Sequence, residues 1–352
     1  MSGPVLFVTN RVPPDRAGAF AALHARVPIE LALFGGRVHH ATGGVVDPGV
    51  PHRHVSPRAV HALAASGRYR AVVAGTAGRV ALPAAWLGAR RARVPFVLWS
   101  ALWAELRTPA HVAARPLMAA IYRDAAAVVA YGPHVAAFAR AHGARRVEIA
   151  PQPVDNAFWS APADAPERRA PFQVLFVGRD TPEKGVAPLL AAWRRAGLDR
   201  RDAVLLVVGE GHEAASGVPG VEVVGALEAR RLRNFYAGAG VVAIPSIPSP
   251  RFVEPWGLVA NEAMNQHCAV IATDAVGAAA GGLVRDGATG LVVPAGDPGA
   301  LAAAIRRLHD DPALRARLAE AGARAVTAYT YEAWASGFAA ALAGTTTARE
   351  GC

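Results

Sequence analysis

Short apolar runs alternate with alanine-rich stretches of helical period along nearly the whole chain, and this alternation constrains the fold more than any other feature. Strands are expected at 5–9, 29–34, 71–74, 96–99 and 127–130 in the first half. In the second they are expected at 173–177, 204–208, 221–224, 241–244, 270–272 and 291–293. Helices fall between them, among them 187–196, 227–237 and 300–308. Strands apolar on both faces and separated by helices specify parallel sheets with right-handed crossovers, and so an α/β class. The proline-rich segment "APQPVDNAFWSAPADAPERRAPFQ", 150–173, reads as a linker. The expected architecture is two doubly wound domains facing each other across a cleft. Ligands in such sheets bind beyond the carboxyl ends of the strands, so the residues just after each strand are the ones to inspect.

At 352 residues the chain is long enough for two full cores. The N-terminal "MSGPVLFVTNRVPPDR" is not expected to be a signal peptide, because Arg11 cuts its apolar run short. No stretch of about 18 apolar residues occurs, so no membrane span is expected. Two cysteines, Cys268 and Cys352, offer neither a disulfide framework nor a zinc site, which fits a reducing cytoplasm. The formal charge of +10 suits anionic partners. Its arginines are scattered and no nucleic-acid motif occurs. No nucleic-acid partner is expected, while peripheral contact with an anionic membrane on its inner face stays open.

Three loops of the second half carry chemistry. After the strand "VLFV" comes "GRDTPEKGV", where Gly178 lets the backbone turn and Arg179 and Lys184 reach the same region. Arginine grips phosphate oxygens with two donors, and lysine supplies a compact charge. A solvated basic turn would look the same. After the next strand comes "GEG", 209–211, which includes Gly209 and Glu210 but is not a full dinucleotide fingerprint. The third loop is "FVEPWGLVANEAMNQ", 252–266, with Glu254 and Glu262 eight positions apart around Gly257. A helix entrance there offers unpaired N–H groups, a natural diphosphate seat. Glu254 lies to one side of that seat and Glu262 about 7–8 Å along the axis on the other. A nucleotide sugar has this order: sugar, diphosphate, ribose. Taken singly, each glutamate reads better as a cap or a surface acid; the pair around Gly257 points to a site.

Together "VGRDTPEKGV", "VVGEG", "EPWGLVANEAM" and "VIATDAVGAAAGGLVRDGATGLVVPAGD" resemble the family-4 retaining glycosyltransferases of the GT-B fold (group 1 glycosyl transferases) over about 172–331. The resemblance implies two Rossmann-like domains: an acceptor-binding domain at 1–160 and a nucleotide-sugar domain at 161–330. It also implies a C-terminal helix, about 331–352, that packs back on the first. It implies that Glu254 contacts the donor sugar, that Glu262 contacts the ribose, and that Arg179 and Lys184 hold the diphosphate. Backbone N–H groups of Trp256 and Gly257 would meet the sugar, and those of Leu258 and Val259 the diphosphate. Where relatives commonly have glycine, this chain has His267, past the helix and away from the chemistry.

The first half is less explicit. "VTNRVPPDRAGAF" resembles the family's glycine-bearing loop after the first strand, which would bring Gly18 near the reacting centre. "VLWSALWAELRTP", 97–109, puts Trp99, Trp103 and Glu105 after a later strand, where relatives often carry a histidine or an aspartate. Aromatic rings there stack on sugars or fill a core. His134, in "YGPHVAAF", opens a helix on the acceptor side.

The function implied is a retaining transferase that takes a sugar from a nucleotide diphosphate sugar, a UDP-sugar by preference. The acceptor would be a small molecule, a glycan or a lipid-linked group. No Asp-x-Asp pair stands in a suitable loop, so neither a metal nor another cofactor is expected. The alternative is a non-catalytic sugar-nucleotide-binding protein. A dehydrogenase lacks its glycine fingerprint here.

Overall fold

The computed structural model describes residues 3–35, 47–198 and 202–343. Expectations placed on Cys352 and on the end of the C-terminal helix, 344–352, lie outside the described residues. The chain divides into two compact units, Met1–Asp155 with Tyr329–Cys352, and Asn156–Ala328.

Unit 1 is built on a seven-stranded sheet. Its strands are β1 (Val5–Thr9), β2 (Ile29–Leu33), β3 (His52–His54), β4 (Ala71–Gly75), β5 (Phe96–Ser100), β6 (Ala127–Ala130) and β7 (Val147–Ile149). Their order is β3-β2-β1-β4-β5-β6-β7, and each neighbouring pair is parallel. The strand period of two appears directly in the packing. Val5 and Phe7 enter one core with Phe20, Trp99, Trp334 and Phe338, while Leu6 and Val8 enter the other with Val72, Leu82 and Tyr122. The Tyr331–Ala343 helix belongs to the first of these cores through Trp334, Phe338 and Leu342.

Unit 2 has six strands: β8 (Phe172–Val177), β9 (Ala203–Val208), β10 (Val221–Gly225), β11 (Val241–Ile244), β12 (Ala269–Thr273) and β13 (Leu291–Val293). The order is β10-β9-β8-β11-β12-β13, again all parallel. In both units the winding reverses beside the first strand, between β1 and β4 and between β8 and β11. That is where doubly wound sheets leave a crevice for ligands.

The structure adds β3 and β7, which the apolar pattern did not reveal. Both are three-residue strands at the two edges of the first sheet, and all of β3 is exposed. The boundary between the units, after Asp155, falls inside the expected linker, but that segment is not a free tether. Much of 156–173 is bound to unit 2: Trp159 is buried against Tyr236 with ring centroids 5.7 Å apart, and Gln266 donates to the carbonyls of Trp159 and Ala161. Among the described residues no helix is long and apolar enough to cross a membrane.

Candidate active site

Three loops meet at the carboxyl ends of β8, β9 and β11. Gly178 follows β8 and Gly209 follows β9. Gly209 has φ +144°, and a Cβ there would lie 1.8 Å from the Gly178 carbonyl oxygen, so only glycine allows the two strand ends this approach. The buried His212 locks it: its Nε2 lies 2.8 Å from the same carbonyl. Glu210 and Arg179 are both exposed, and the Glu210 carbonyl accepts from the Asp180 N–H at 3.2 Å.

Lys184 ends a short 3-10 turn, Pro182–Lys184. Gly185 follows with φ +73°, its Cα so close to Pro245 that a Cβ would sit 1.9 Å from that carbonyl. This approach seats the lysine loop on the end of β11. Glu183 strengthens the seat, its carbonyl accepting from Ile247 N–H at 2.9 Å and its carboxylate from Ser249 Oγ at 3.2 Å.

The two loops deliver Lys184 and Glu254 to each other. Lys184 Nζ is 2.5 Å from Glu254 Oε2, and Ser246 Oγ donates to the same oxygen at 3.2 Å. The Glu254 side chain is 8% exposed and the lysine 24%, so the pair is only partly screened by water. Backbone bonds hold the acid's loop: Gly277 N–H to Glu254 O at 3.1 Å and Ala278 N–H to Trp256 O at 2.7 Å. The Trp256 indole is buried and donates to Asn261 Oδ1 at 2.7 Å, which fixes the backbone around Gly257, itself at φ +87°.

The helix after this loop spans only Val259–Asn265, with Leu258 at its cap. The sequence reading leans on a helix end to seat a diphosphate. With seven residues the aligned peptide dipoles are few, so this helix end by itself is a weak seat for an anion. Glu262 sits on this helix, half-buried, and accepts from Tyr236 OH at 2.7 Å. Burial first, then the Glu262 carboxylate, pushes the Tyr236 phenol well above its ordinary value of 10.0, so it remains a donor. His267 follows the helix at φ +56°, exposed, with Nδ1 3.3 Å from Glu320.

Unit 1 treats the acceptor-side expectations unevenly. Gly18 is corrected: it lies inside the Pro14–Arg26 helix, not in a loop, and a Cβ there would meet the Tyr331 ring at 2.2 Å. Its small size lets this helix pack against Tyr331. Trp99 is largely core, with ring centroids 5.6 Å from Phe7 and 5.9 Å from Trp334, but one side of it lines a cavity of about 270 Å³. Trp103 and His134 come together edge to face at 5.3 Å. Glu105 turns elsewhere, 3.1 Å from Arg115 and 2.8 Å from His142, beside a separate apolar cavity. Among the described residues no cluster of three or more His, Cys, Asp or Glu is placed to hold a metal ion.

Sequence reasoning missed Tyr236, Ser246, His212 and, in unit 1, Arg16. Ser246 and His212 follow strands β11 and β9, so a closer look at strand ends would have found them. Tyr236 reaches Glu262 from another helix, which no local pattern signals.

The chain is 36% identical over 202 residues to a phosphatidyl-myo-inositol mannosyltransferase of Mycobacterium leprae, covering 55% of this chain and 52% of the relative. It is 34% identical over 157 residues to an alpha-D-kanosaminyltransferase of Streptomyces kanamyceticus, covering 42% of this chain and 39% of the relative. The chain thus spans about half the length of these curated relatives or less. Among solved structures, Anabaena HepE in complex with UDP superposes with a TM-score of 0.74 at 20% identity, covering 97% of this chain and 99% of that one. A sucrose-phosphate synthase from Thermosynechococcus elongatus gives 0.73 at 22% identity over 98% and 100%. At such identities the likeness is one of fold, the GT-B fold. Residues 171–311, the greater part of unit 2 and the segment that holds Arg179, Lys184, Glu254 and Glu262, match the family model of glycosyl transferases group 1.

Proposed function

We propose that the protein is a retaining glycosyltransferase that moves a sugar from a nucleoside diphosphate sugar to an acceptor without a metal ion. The observation that carries this reading is the direct pairing of Lys184 with Glu254 where unit 2 reverses its winding, with Glu262 held by Tyr236 on the neighbouring helix. Glu254 accepts from sugar hydroxyls and Glu262 from ribose hydroxyls. Lys184, Arg179 and the N–H groups of Leu258 and Val259 hold the diphosphate, while those of Trp256 and Gly257 meet the sugar. Uridine is the favoured base, in keeping with the UDP-bound neighbour of the same fold.

As the bond from the anomeric carbon to the diphosphate breaks, positive charge develops on the sugar and negative charge on the leaving oxygens. Fixed donors already aimed at those oxygens stabilise the charge without reorganising. The acceptor oxygen attacks from the face the diphosphate leaves, and the departing diphosphate takes the acceptor proton. Two cations supply the neutralisation that a divalent metal supplies in other transferases.

A screen of nucleotide sugars against several acceptors, read by mass and repeated in chelator, tests the proposal. The anomeric coupling of the product reports the stereochemistry. An inverted product overturns retention. Activity lost in chelator and restored only by a divalent ion overturns the metal-free mechanism. Nucleotide binding without turnover across the panel favours the non-catalytic alternative.

A further inference from the structure

The cavity of about 270 Å³ in unit 1 opens beyond the ends of β1, β4 and β5, at the point where that sheet reverses its winding. Asn10, Arg11, Arg16, Thr76, Trp99 and Tyr131 are among its lining residues. Two of them are cations and none is a carboxylate. Arg16 is 8% exposed, its guanidinium packed over the rings of Trp99 at 5.6 Å and Tyr131 at 5.9 Å. Its Nη2 donates to Gln152, yet its Nη1 is buried with no hydrogen-bond partner, and so is the indole Nε1 of Trp99.

A charge this buried normally has a carboxylate at hydrogen-bond distance. The nearest one, Asp15, stands 3.7 Å from Arg16 Nε, too far for a hydrogen bond. Unpaired buried donors are costly, and an oxyanion that reached them would relieve that cost. A core arginine with a purely packing role would leave the cationic wall and the idle indole N–H unexplained.

We infer that this cavity is an oxyanion site, and that its occupant is a phosphate ester carried by the acceptor. Two guanidinium groups on a wall without carboxylates match a phosphate monoester, which carries about −1.5 to −2 at neutral pH, better than a single carboxylate. Arginine's planar fork also suits phosphate oxygens. Asn10 and Thr76 supply polar groups for hydroxyls beside the phosphate. The word acceptor rests on the transferase reading above; the binding of phosphate does not.

The test therefore reads binding rather than turnover. Protein saturated with UDP, which occupies the cations of unit 2, is titrated calorimetrically with glucose 6-phosphate, inositol 1-phosphate and inorganic phosphate, and with glucose and inositol as uncharged controls. A second arm uses vesicles containing phosphatidylinositol, which separates a lipid-borne phosphate from a free ester. At least one phosphate-bearing probe should bind at least about tenfold tighter than its uncharged partner, a difference of about 1.4 kcal/mol. Arg16→Met should abolish that preference and Arg16→Lys keep part of it, with UDP affinity unchanged in both. If Arg16→Met does not fold, Arg11→Ala and Trp99→Phe, which keeps an aromatic ring but removes the pyrrole half of the indole with its N–H, must each weaken the same probe. Overturning results are no preference for phosphate in either arm, or a preference that survives Arg16→Met, or one that survives either substitute variant.

Discussion

Lys184 Nζ lies 2.5 Å from Glu254 Oε2, so the cation assigned to the diphosphate and the acid assigned to the sugar are joined to each other. Each holds the other in place, and each is costly to remove alone. Lys184→Met leaves a carboxylate 8% exposed without its counter-charge. Because the lysine is partly solvated, the expected loss is about 1–3 kcal/mol of folding stability, below the range for a fully buried pair. Glu254→Gln should cost less, and the double variant should recover much of the stability without recovering transfer. Thermal denaturation of the four proteins closes the cycle. Additive losses would mean the two side chains do not interact.

Gly209→Ala should be the most disruptive small change near the site. The added methyl would stand 1.8 Å from the Gly178 carbonyl oxygen, at φ +144° where alanine is strained. The strand ends must separate, which detaches His212 from the same carbonyl. A stability loss of about 1–3 kcal/mol is expected from the backbone strain alone. Nucleotide affinity should fall with it, because the Arg179 loop begins at Gly178. Calorimetry with UDP on the folded fraction checks this; an unchanged affinity would detach the glycine loop from the donor.

Much of this was legible in the sequence, and the exceptions have physical causes. Strands such as β1, β6, β11 and β12 are buried and read as apolar runs, while β3, with the composition His-Arg-His at an edge, has no apolar face to show. Glu254 and Lys184 were found because the fold class says to look after the strands. Tyr236, Glu262's partner, lies on a separate helix and leaves no local pattern. Gly18 falls in a helix and not in the loop that the resemblance implies, and Pro13, Pro14 and Asp15 before it are a good helix start, with proline in the first turn. Trp159 made a proline-rich stretch adhere to unit 2 where composition alone suggested a free tether.

Alkaline pH should unfold the protein through its buried phenols and thiol. Burial raises Tyr236, Tyr131 and Tyr331 above 10.0, lifts Tyr122 to about 12, and lifts Cys268 above its ordinary 9.0. Groups raised in the folded state hold protons that the unfolded chain releases. Their contribution is complete below the unfolded values near 9 to 10 and is lost as pH climbs toward the folded ones. The melting temperature should therefore be flat near neutrality and fall steeply above about pH 9.5. Tyr236→Phe should make that fall shallower by one proton while weakening UDP by about five- to tenfold, since Glu262 loses the Tyr236 donor. A melting curve independent of pH up to 11 would contradict the burial of these groups.

Arg179→Ala should separate turnover from binding. Lys184 is already paired with Glu254, so the exposed Arg179 is the cation more available to charge that appears only as the diphosphate departs. An interaction stronger in the transition state than in the ground state lowers kcat when removed, whereas one equal in both raises KM. A charged hydrogen bond of about 1.5–3 kcal/mol corresponds to a loss of about 10- to 150-fold. That loss should fall mainly on kcat, with UDP affinity changed by less. Lysine at the same position should restore part of kcat, because it keeps the charge and loses the fork. If only KM moves, Arg179 binds the donor uniformly, and the stabilisation of the leaving group must come from Lys184 and the backbone N–H groups at Leu258 and Val259.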